Sequence, residues 1–170
     1  MAISDDQFRR AMRLWASGVT IVTSRRDEGL QAITVSSFCS LSLAPPLVVI
    51  AVAHTAKSHA QIAKQRAFGV NILRDDQRDL SELAAGRAGE RGAWLEGVSH
   101  TTAATGAPIL KDCLGWLDCS LAGQHEGGDH TIFVGRVEAC GDSEGLPLLY
   151  FRSAYRRIAP LRAGRRRGKP

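Results

Sequence analysis

Apolar and polar residues alternate along this chain with two different periods. Near the N-terminus, Phe8, Ala11, Met12 and Trp15 follow a Ser-x-x-Gln capping box that begins at Ser4, and this spacing predicts a short amphipathic helix. Most other apolar segments are short and rich in β-branched residues, which indicates strands. The predicted strands lie at residues 18–24, 31–37, 47–53, 68–73, 113–122, 131–140 and 148–151. Turn residues at 25–29, Arg-Arg-Asp-Glu-Gly, predict that the first two strands form a hairpin.

One of these segments contains no polar residue at all. Residues 47–53 read Leu-Val-Val-Ile-Ala-Val-Ala and follow the pair Pro45–Pro46, so we expect a strand that is buried on both faces. Helical spacing returns at residues 57–66 and 76–85, where Asp76 has the residue type of an N-cap. The chain is thus predicted to combine three short helices with about seven strands.

The order of these elements favours one fold class. Strands come in runs instead of alternating with long helices, which disfavours a doubly wound parallel sheet and predicts a mainly β fold, an antiparallel barrel with attached short helices. With 170 residues, of which 44% are hydrophobic, the chain has the length for one domain, which we place at residues 1–161. No apolar run reaches the ~18 residues that a transmembrane helix needs, so we expect no membrane association.

The net charge of +5 is concentrated at the C-terminal end. Residues 152–170 contain eight Lys and Arg and no Asp or Glu, whereas residues 1–151 carry 14 basic and 17 acidic side chains, a formal charge of −3. Residues 162–170 lack apolar periodicity, which predicts a basic, disordered tail. A nucleic-acid-binding or partner-binding arm is the alternative, but we expect no nucleic-acid partner.

The four cysteines are scattered and include no C-x-x-C pair, which argues against a disulfide framework and against a metal site. We therefore expect reduced thiols. Cys113 and Cys119 have the spacing for one face of a strand, where both would fill the core. The N-terminus has neither the basic nor the apolar part of a secretory signal, so we expect a cytoplasmic location.

Three polar segments interrupt the apolar pattern and are candidates for chemistry. Residues 34–42 contain five hydroxyl side chains, which could form a solvated edge or line a pocket for a flat polar ligand. Residues 127–130, Gly-Gly-Asp-His, are either a plain hairpin turn or a turn that carries a functional His130. At residues 55–59 a helix start combines hydroxyls with Lys57, which indicates ordinary caps or a phosphate site.

The chain lacks both G-x-G-x-x-G and G-x-x-x-x-G-K-[ST], so any nucleotide is bound in another way.

Several short motifs, taken together and in order, carry a family resemblance. They are Phe8-Arg-Arg-Ala11, Ser17-Gly-Val-Thr-Ile-Val-Thr23, Thr34-Val-Ser-Ser-Phe38, Ser40-Leu-Ser42, Pro45-Pro-Leu47, Phe68-Gly-Val-Asn71, Gly128-Asp-His-Thr-Ile-Phe-Val-Gly-Arg-Val137 and Pro147-Leu-Leu-Tyr-Phe151. This combination resembles the flavin reductase-like family, the small NAD(P)H:flavin oxidoreductases that serve two-component monooxygenases.

The resemblance implies a fold, cofactors and partners. The fold would be a split β-barrel of the FMN-binding type, usually a homodimer, that binds FMN or FAD and takes hydride from NADH or NADPH. The partner would be a flavin-dependent monooxygenase component that receives the reduced flavin. A non-enzymatic flavin-binding or flavin-storage protein on the same barrel is the chief alternative, and an interaction module that works through its basic tail is a more distant one.

The resemblance also implies which residues contact the flavin. The flavin-contacting positions are Thr34, Val35, Ser36, Ser37, Phe38 and Ser40. The phosphate side of the flavin falls on Lys57 and Ser58. They follow Ala56, which stands where relatives often carry a hydroxyl.

The nicotinamide side of the flavin falls on the family's Gly-Asp-His motif, which is Gly128, Asp129 and His130 in this chain. We expect His130 to contact the hydride donor. Hydride transfer depends on stacking geometry and exclusion of water, so no acid–base residue is required. Substrate-side contacts near residues 86–95 are not carried over, because Arg91-Gly-Ala-Trp94 departs from the family's pattern.

Overall fold

The structure is a computed structural model that describes residues 3–26, 30–86 and 97–159. The predicted tail at residues 162–170 and residues 87–96, which contain the Arg91-Gly-Ala-Trp94 segment, lie outside the described residues. The helices are α1 (Asp5–Met12), α2 (Lys57–Gln65) and α3 (Arg78–Ala84). The strands are β1 (Ser17–Gly18), β2 (Thr20–Arg25), β3 (Leu30–Val35), β4 (Cys39–Ser42), β5 (Leu47–Ala53), β6 (Ala67–Ile72), β7 (His100–Thr102), β8 (Pro108–Leu110), β9 (Gly115–Gly127), β10 (His130–Asp142), β11 (Leu149–Phe151) and β12 (Ala154–Arg156).

Seven strands form one antiparallel sheet in the order β3-β2-β6-β9-β10-β5-β4. Its end strands, β3 and β4, do not pair with each other, so the sheet stays open, as in a split barrel. Two small sheets, β1-β11-β12 and β7-β8, lie beside it. The predicted fold class is therefore confirmed. The estimate of seven strands was too low, because the added strands have four residues or fewer, which is too short to show a clear periodicity in the sequence.

The two faces of the large sheet bury two apolar clusters. Successive residues of a strand point to opposite faces, so Val22 joins one cluster and Ile21 the other. The first cluster centres on Phe68 and Phe133 and is covered by Ile62 of α2. The second lies beneath α3. Helix α2 is thereby held against the same strands that carry the predicted site.

The local predictions near the N-terminus are confirmed. Gln7 N–H donates to Ser4 Oγ at 3.3 Å and Ser4 N–H donates to Gln7 Oε1 at 2.9 Å, which completes the capping box. The predicted hairpin forms between β2 and β3, with Arg25 opposite Leu30. Helix α1 buries none of its residues against the described chain, although its sequence is amphipathic.

Two packing predictions were wrong. Strand β5 is fully buried on one face only, at Val48, Ile50 and Val52, because an antiparallel sheet packs one face against its core. Cys113 precedes β9, so it does not share a strand face with Cys119; the two thiols lie in different clusters. Both side chains are buried, as expected for core residues.

The predicted cap of α3 was also wrong. The helix begins at Arg78, and its N-cap residue is Gln77, without a side-chain cap. The Asp76 carboxylate instead pairs with Arg74 at 2.7 Å, and this hydrogen bond lowers the pKa of Asp76 below its ordinary value. The Asp76 side chain therefore forms an ion pair within the turn and does not cap α3.

Within the described residues, no helix is long and apolar enough to cross a membrane. In the same ranges, no group of three or more His, Cys, Asp and Glu side chains is arranged to hold a metal ion.

Candidate functional site

Strand β5 brings the predicted flavin segment and the predicted nicotinamide turn together. On one edge of β5, Cys39 pairs with Val49 and Ser40 with Val48. On the other edge, His130 pairs with Ala53. Segments that are about ninety residues apart in sequence therefore flank one strand of seven residues.

Two of the predicted flavin-contacting hydroxyls form hydrogen bonds to backbone groups of the protein itself. Ser37 Oγ donates to the Ala51 carbonyl at 2.7 Å and accepts from the Ala51 N–H at 3.2 Å. Thr34 Oγ1 donates to the Ser81 carbonyl at 2.7 Å. These bonds fix the segment against β5 and α3. The backbone of the segment and its other hydroxyls remain available to a ligand.

The remaining members of the segment differ in exposure. Ser36 and Ser40 are exposed, and neither side chain hydrogen-bonds to another described residue. Val35 is buried in the first cluster, and Phe38 is half-buried against it. The segment thus presents hydroxyls outward from an apolar base.

A cleft of about 530 Å³ opens beside this segment. It runs between α1 and the β11–β12 hairpin, and Ser36 and Ser37 form part of its wall. A smaller pocket of about 190 Å³ shares Ser36 and Tyr150 with the cleft and is also lined by Thr34 and Val35. The combined space is typical of a site for a small organic ligand.

The walls of the cleft have a distinct chemistry. Trp15, Tyr150 and Phe151 supply apolar surface, and Arg9, Arg13 and Arg152 supply positive charge. No carboxylate of the described residues lines the cleft or pairs with these three guanidinium groups. A flat aromatic ligand that carries phosphate is complementary to this surface.

The predicted nicotinamide turn is a two-residue hairpin connection between β9 and β10, because Gly127 pairs with His130. Gly128 has φ of +76°, a conformation that favours glycine. His130 Nδ1 lies 2.6 Å from Asp129 Oδ1. This hydrogen bond, together with the charge of the imidazole, lowers the pKa of Asp129. The turn therefore holds His130 in a defined orientation next to a carboxylate.

The predicted phosphate-side residues have unequal exposure. Helix α2 has Ala56 as its N-cap, without a side-chain cap, so its first N–H groups stay available. Lys57 is exposed, whereas Ser58 is only 2% exposed. Lys57 can reach an anion with its side chain, and Ser58 contributes its backbone N–H at the same helix start.

The start of α2 lies next to the nicotinamide turn. His54 N–H donates to the Asp129 carbonyl at 3.0 Å, and His54 Nε2 lies 3.4 Å from Glu126 Oε2. The structure thus collects the predicted residues into two groups on either side of β5. Lys57 and Ser58 lie on the side of the turn at residues 128–130, and the segment at residues 34–40 lies beside the cleft.

Sequence reasoning assigned no role to several residues of these two groups. Tyr150 and Trp15 line the cleft, and His59 lies between α2 and β10. In the sequence, Trp15 belongs to a helical stripe, and Tyr150 belongs to a predicted strand and to a family motif. A signal was available for His59, because it precedes the buried Ile62 by three positions and so lies on the inward face of the helix.

Similarity to known proteins shows the family of this chain. Residues 12–159 match the protein-family model of the flavin reductase like domain. The reductase component of 4-hydroxyphenylacetate 3-monooxygenase from Thermus thermophilus is 40% identical over 154 residues, covering 90% of this chain and 96% of that protein. An NADH-dependent flavin reductase from a Rhodococcus species is 35% identical over 160 residues, covering 90% and 86%.

Solved structures give the same result. The native-state structure of the flavin reductase PheA2 superposes with a TM-score of 0.87 at 33% identity, covering 93% of this chain and all of that chain. The styrene monooxygenase flavin reductase from Pseudomonas putida superposes with a TM-score of 0.81 at 33% identity, covering 91% and 99%. The family match over most of the chain, the relatives and the shared fold confirm the resemblance, and the chain belongs to the flavin reductase family.

Proposed function

We propose that this chain is an NADH-dependent flavin reductase, the reductase component of a two-component monooxygenase. The observation that carries the proposal is the placement of the Ser36–Ser40 segment and His130 on opposite edges of β5, beside a positively charged cleft. NADH is favoured as donor because relatives from Rhodococcus, Streptomyces and Pseudomonas are named as NADH-dependent reductases.

The residues present fit a flavin. The cleft offers aromatic walls for a planar ring system and hydroxyls and backbone N–H groups for its polar edge, and the start of α2 offers Lys57 and uncapped N–H groups for phosphate. We assign the ring to the backbone and exposed hydroxyls of residues 34–40, and the phosphate to Lys57 with the free N–H groups of α2. The flavin is FMN or FAD, since both fit this donor set.

A bound flavin would supply the acceptor for a hydride, two electrons and one proton, from the nicotinamide ring, which would be left in its oxidised form. The chain's residues bind and orient for this step. Ser37 fixes the flavin segment on β5, and the backbone N–H groups around Ser36 and Ser40 face the ring edge where negative charge accumulates. His130, held by Asp129 on the opposite edge of β5, contacts the dinucleotide without exchanging a proton. No acid–base residue is needed.

We also propose that the chain works as a cytoplasmic homodimer that passes reduced flavin to a monooxygenase partner. The apolar side chains of Phe8 and Met12 in α1 and of Trp15 just after it are exposed on the isolated chain, and a second subunit would cover them. The four free thiols suit a reducing compartment. The Thermus relative is named as a monooxygenase reductase component, which supports the partner.

Steady-state oxidation of NADH in the presence of FMN, FAD or riboflavin tests the proposal, with NADPH as the alternative donor. We expect turnover with NADH and at least one phosphorylated flavin, and transfer of reduced flavin to an added monooxygenase component. A flavin-storage protein would bind flavin without turnover. An interaction module would bind none. Either result would refute the reductase assignment.

A further inference from the structure

We propose that His59 is a positioning residue that locks the turn carrying His130 onto the first turn of α2. The inference rests on the proposed function, in which these two elements hold the hydride donor and the flavin phosphate. His59 itself touches neither ligand in this scheme. It acts through the residues that do.

The first contact of His59 is with β10. His59 Nε2 and Thr131 Oγ1 share a hydrogen bond of 2.8 Å. Thr131 is buried and follows His130 directly in the chain. The His59 ring also lies 5.3 Å, centroid to centroid, from the ring of Phe133, which is fully buried. A side chain of α2 therefore holds the beginning of β10 by one polar and one aromatic contact.

The second contact of His59 is with the segment between β5 and α2. Its ring packs edge-on against His54, with centroids 5.3 Å apart and an interplanar angle of 79°. His54 in turn donates its backbone N–H to the Asp129 carbonyl and places its ring 3.4 Å from the Glu126 carboxylate. His59 is thus linked to both sides of the Asp129–His130 pair. It bonds directly to Thr131, which follows the pair, and it contacts His54, which bonds to Asp129.

The location of His59 explains why one residue can serve both elements. It is the third residue of α2, two positions after Lys57, and it is half-buried. Without its ring, the ties from the hairpin to the segment before α2 that the described residues show are the backbone bond of His54, its contact with Glu126 and the pairing of His130 with Ala53, and none of them involves a residue of α2. The distance between Lys57 and His130 would then vary. The flavin phosphate and the dinucleotide would less often be bound at the separation that hydride transfer needs.

Hydrogen exchange in the flavin-free full chain tests the positioning directly. His59→Leu keeps the bulk and removes the hydrogen bond, and Thr131→Val removes its partner. We expect both variants to speed exchange of the His54 amide and of residues 130–132, while His100→Leu, an exposed histidine of β7, leaves these amides unchanged. His59→Gln, whose amide can donate or accept, should restore most of the protection. Unchanged exchange in both His59→Leu and Thr131→Val would overturn the proposal.

A double-mutant cycle with His130 tests whether the effect reaches the reaction. His59→Leu should raise KM for NADH by about five- to tenfold with little change in kcat, and this effect should vanish in the His130→Ala background. An undiminished effect in that background would mean that His59 does not act through His130. If His59→Leu does not fold, Thr131→Val takes its place in the cycle. If the unmodified chain oxidises neither NADH nor NADPH, the proposed function fails, and the exchange experiment still decides the positioning.

Discussion

The Ser37 hydroxyl bonds to both backbone groups of Ala51, donating to its carbonyl and accepting from its N–H. Ala51 lies in the middle of β5, between the residues that pair with β4 and the residue that pairs with His130. One side chain thereby sets the position of the flavin segment relative to the nicotinamide turn.

Replacing Ser37 by alanine should weaken both the fold and the flavin site. A single hydrogen-bonding side chain of this kind contributes about 1 kcal/mol, so the free energy of unfolding should fall by about that amount in a denaturant titration. Flavin affinity, measured by fluorescence quenching, should fall as well. Ser99→Ala, which removes an exposed hydroxyl far from β5, is the control. Full stability and full affinity in Ser37→Ala would show that the Ala51 bonds are dispensable.

Lys57→Ala should weaken FMN binding and leave riboflavin binding nearly unchanged. A charge-assisted contact contributes roughly 1.5–3 kcal/mol, so we expect a loss of ~10- to 100-fold in FMN affinity by isothermal titration. The matched control is Lys64→Ala, at the other end of the same helix. Equal losses for FMN and riboflavin would exclude a phosphate contact at Lys57.

His130→Ala should act on the hydride donor and not on the flavin. We expect kcat/KM for NADH to fall by about tenfold, equivalent to about 1.4 kcal/mol, mainly through KM. FMN affinity and the melting temperature should stay close to those of the unmodified chain. His100→Ala is the control for loss of a surface imidazole. A lower melting temperature with unchanged kinetics would reduce His130 to a residue of the turn.

The four thiols should fall into two reactivity classes. Burial raises the pKa of Cys113 to about 11 and that of Cys119 to about 12, so both stay protonated at pH 8, and the thiol form is a poor nucleophile. Cys39 and Cys140 are exposed. Iodoacetamide followed by peptide mass spectrometry should label only the exposed pair in the native chain and all four in guanidinium. Rapid native labelling of either buried thiol would contradict the packing.

Deleting residues 162–170 should leave turnover and the melting temperature intact. These residues lie beyond the family match, which ends at residue 159, and they have no apolar periodicity that could dock them. The same assay with FMN and NADH measures the effect. Loss of turnover in a shortened chain that still folds would place the basic tail in the site.

The sequence by itself determined the elements whose signals are local. The Ser4 capping box, the β2–β3 hairpin and strands β5 and β10 follow from spacings of two to four residues, and each formed where it was expected. The order of strand-like segments was enough for the fold class. The motifs from Phe8 to Phe151 were enough for the family, because their combination is specific although each motif alone is weak.

The tertiary structure alone decided how the predicted site residues are used. The bonds of Ser37 to Ala51, the burial of Ser58 and the contact between His59 and Thr131 join parts of the chain 14 to 72 positions apart, and no local periodicity encodes such pairs. Cys113 was misplaced because β9, set by its pairing with β6 and β10, begins only at Gly115, whereas Asp76 was misplaced because of a local ion pair with Arg74. Helix and strand periods report which face a residue occupies, whereas its partner depends on which strands pair, and that choice is made by the whole core.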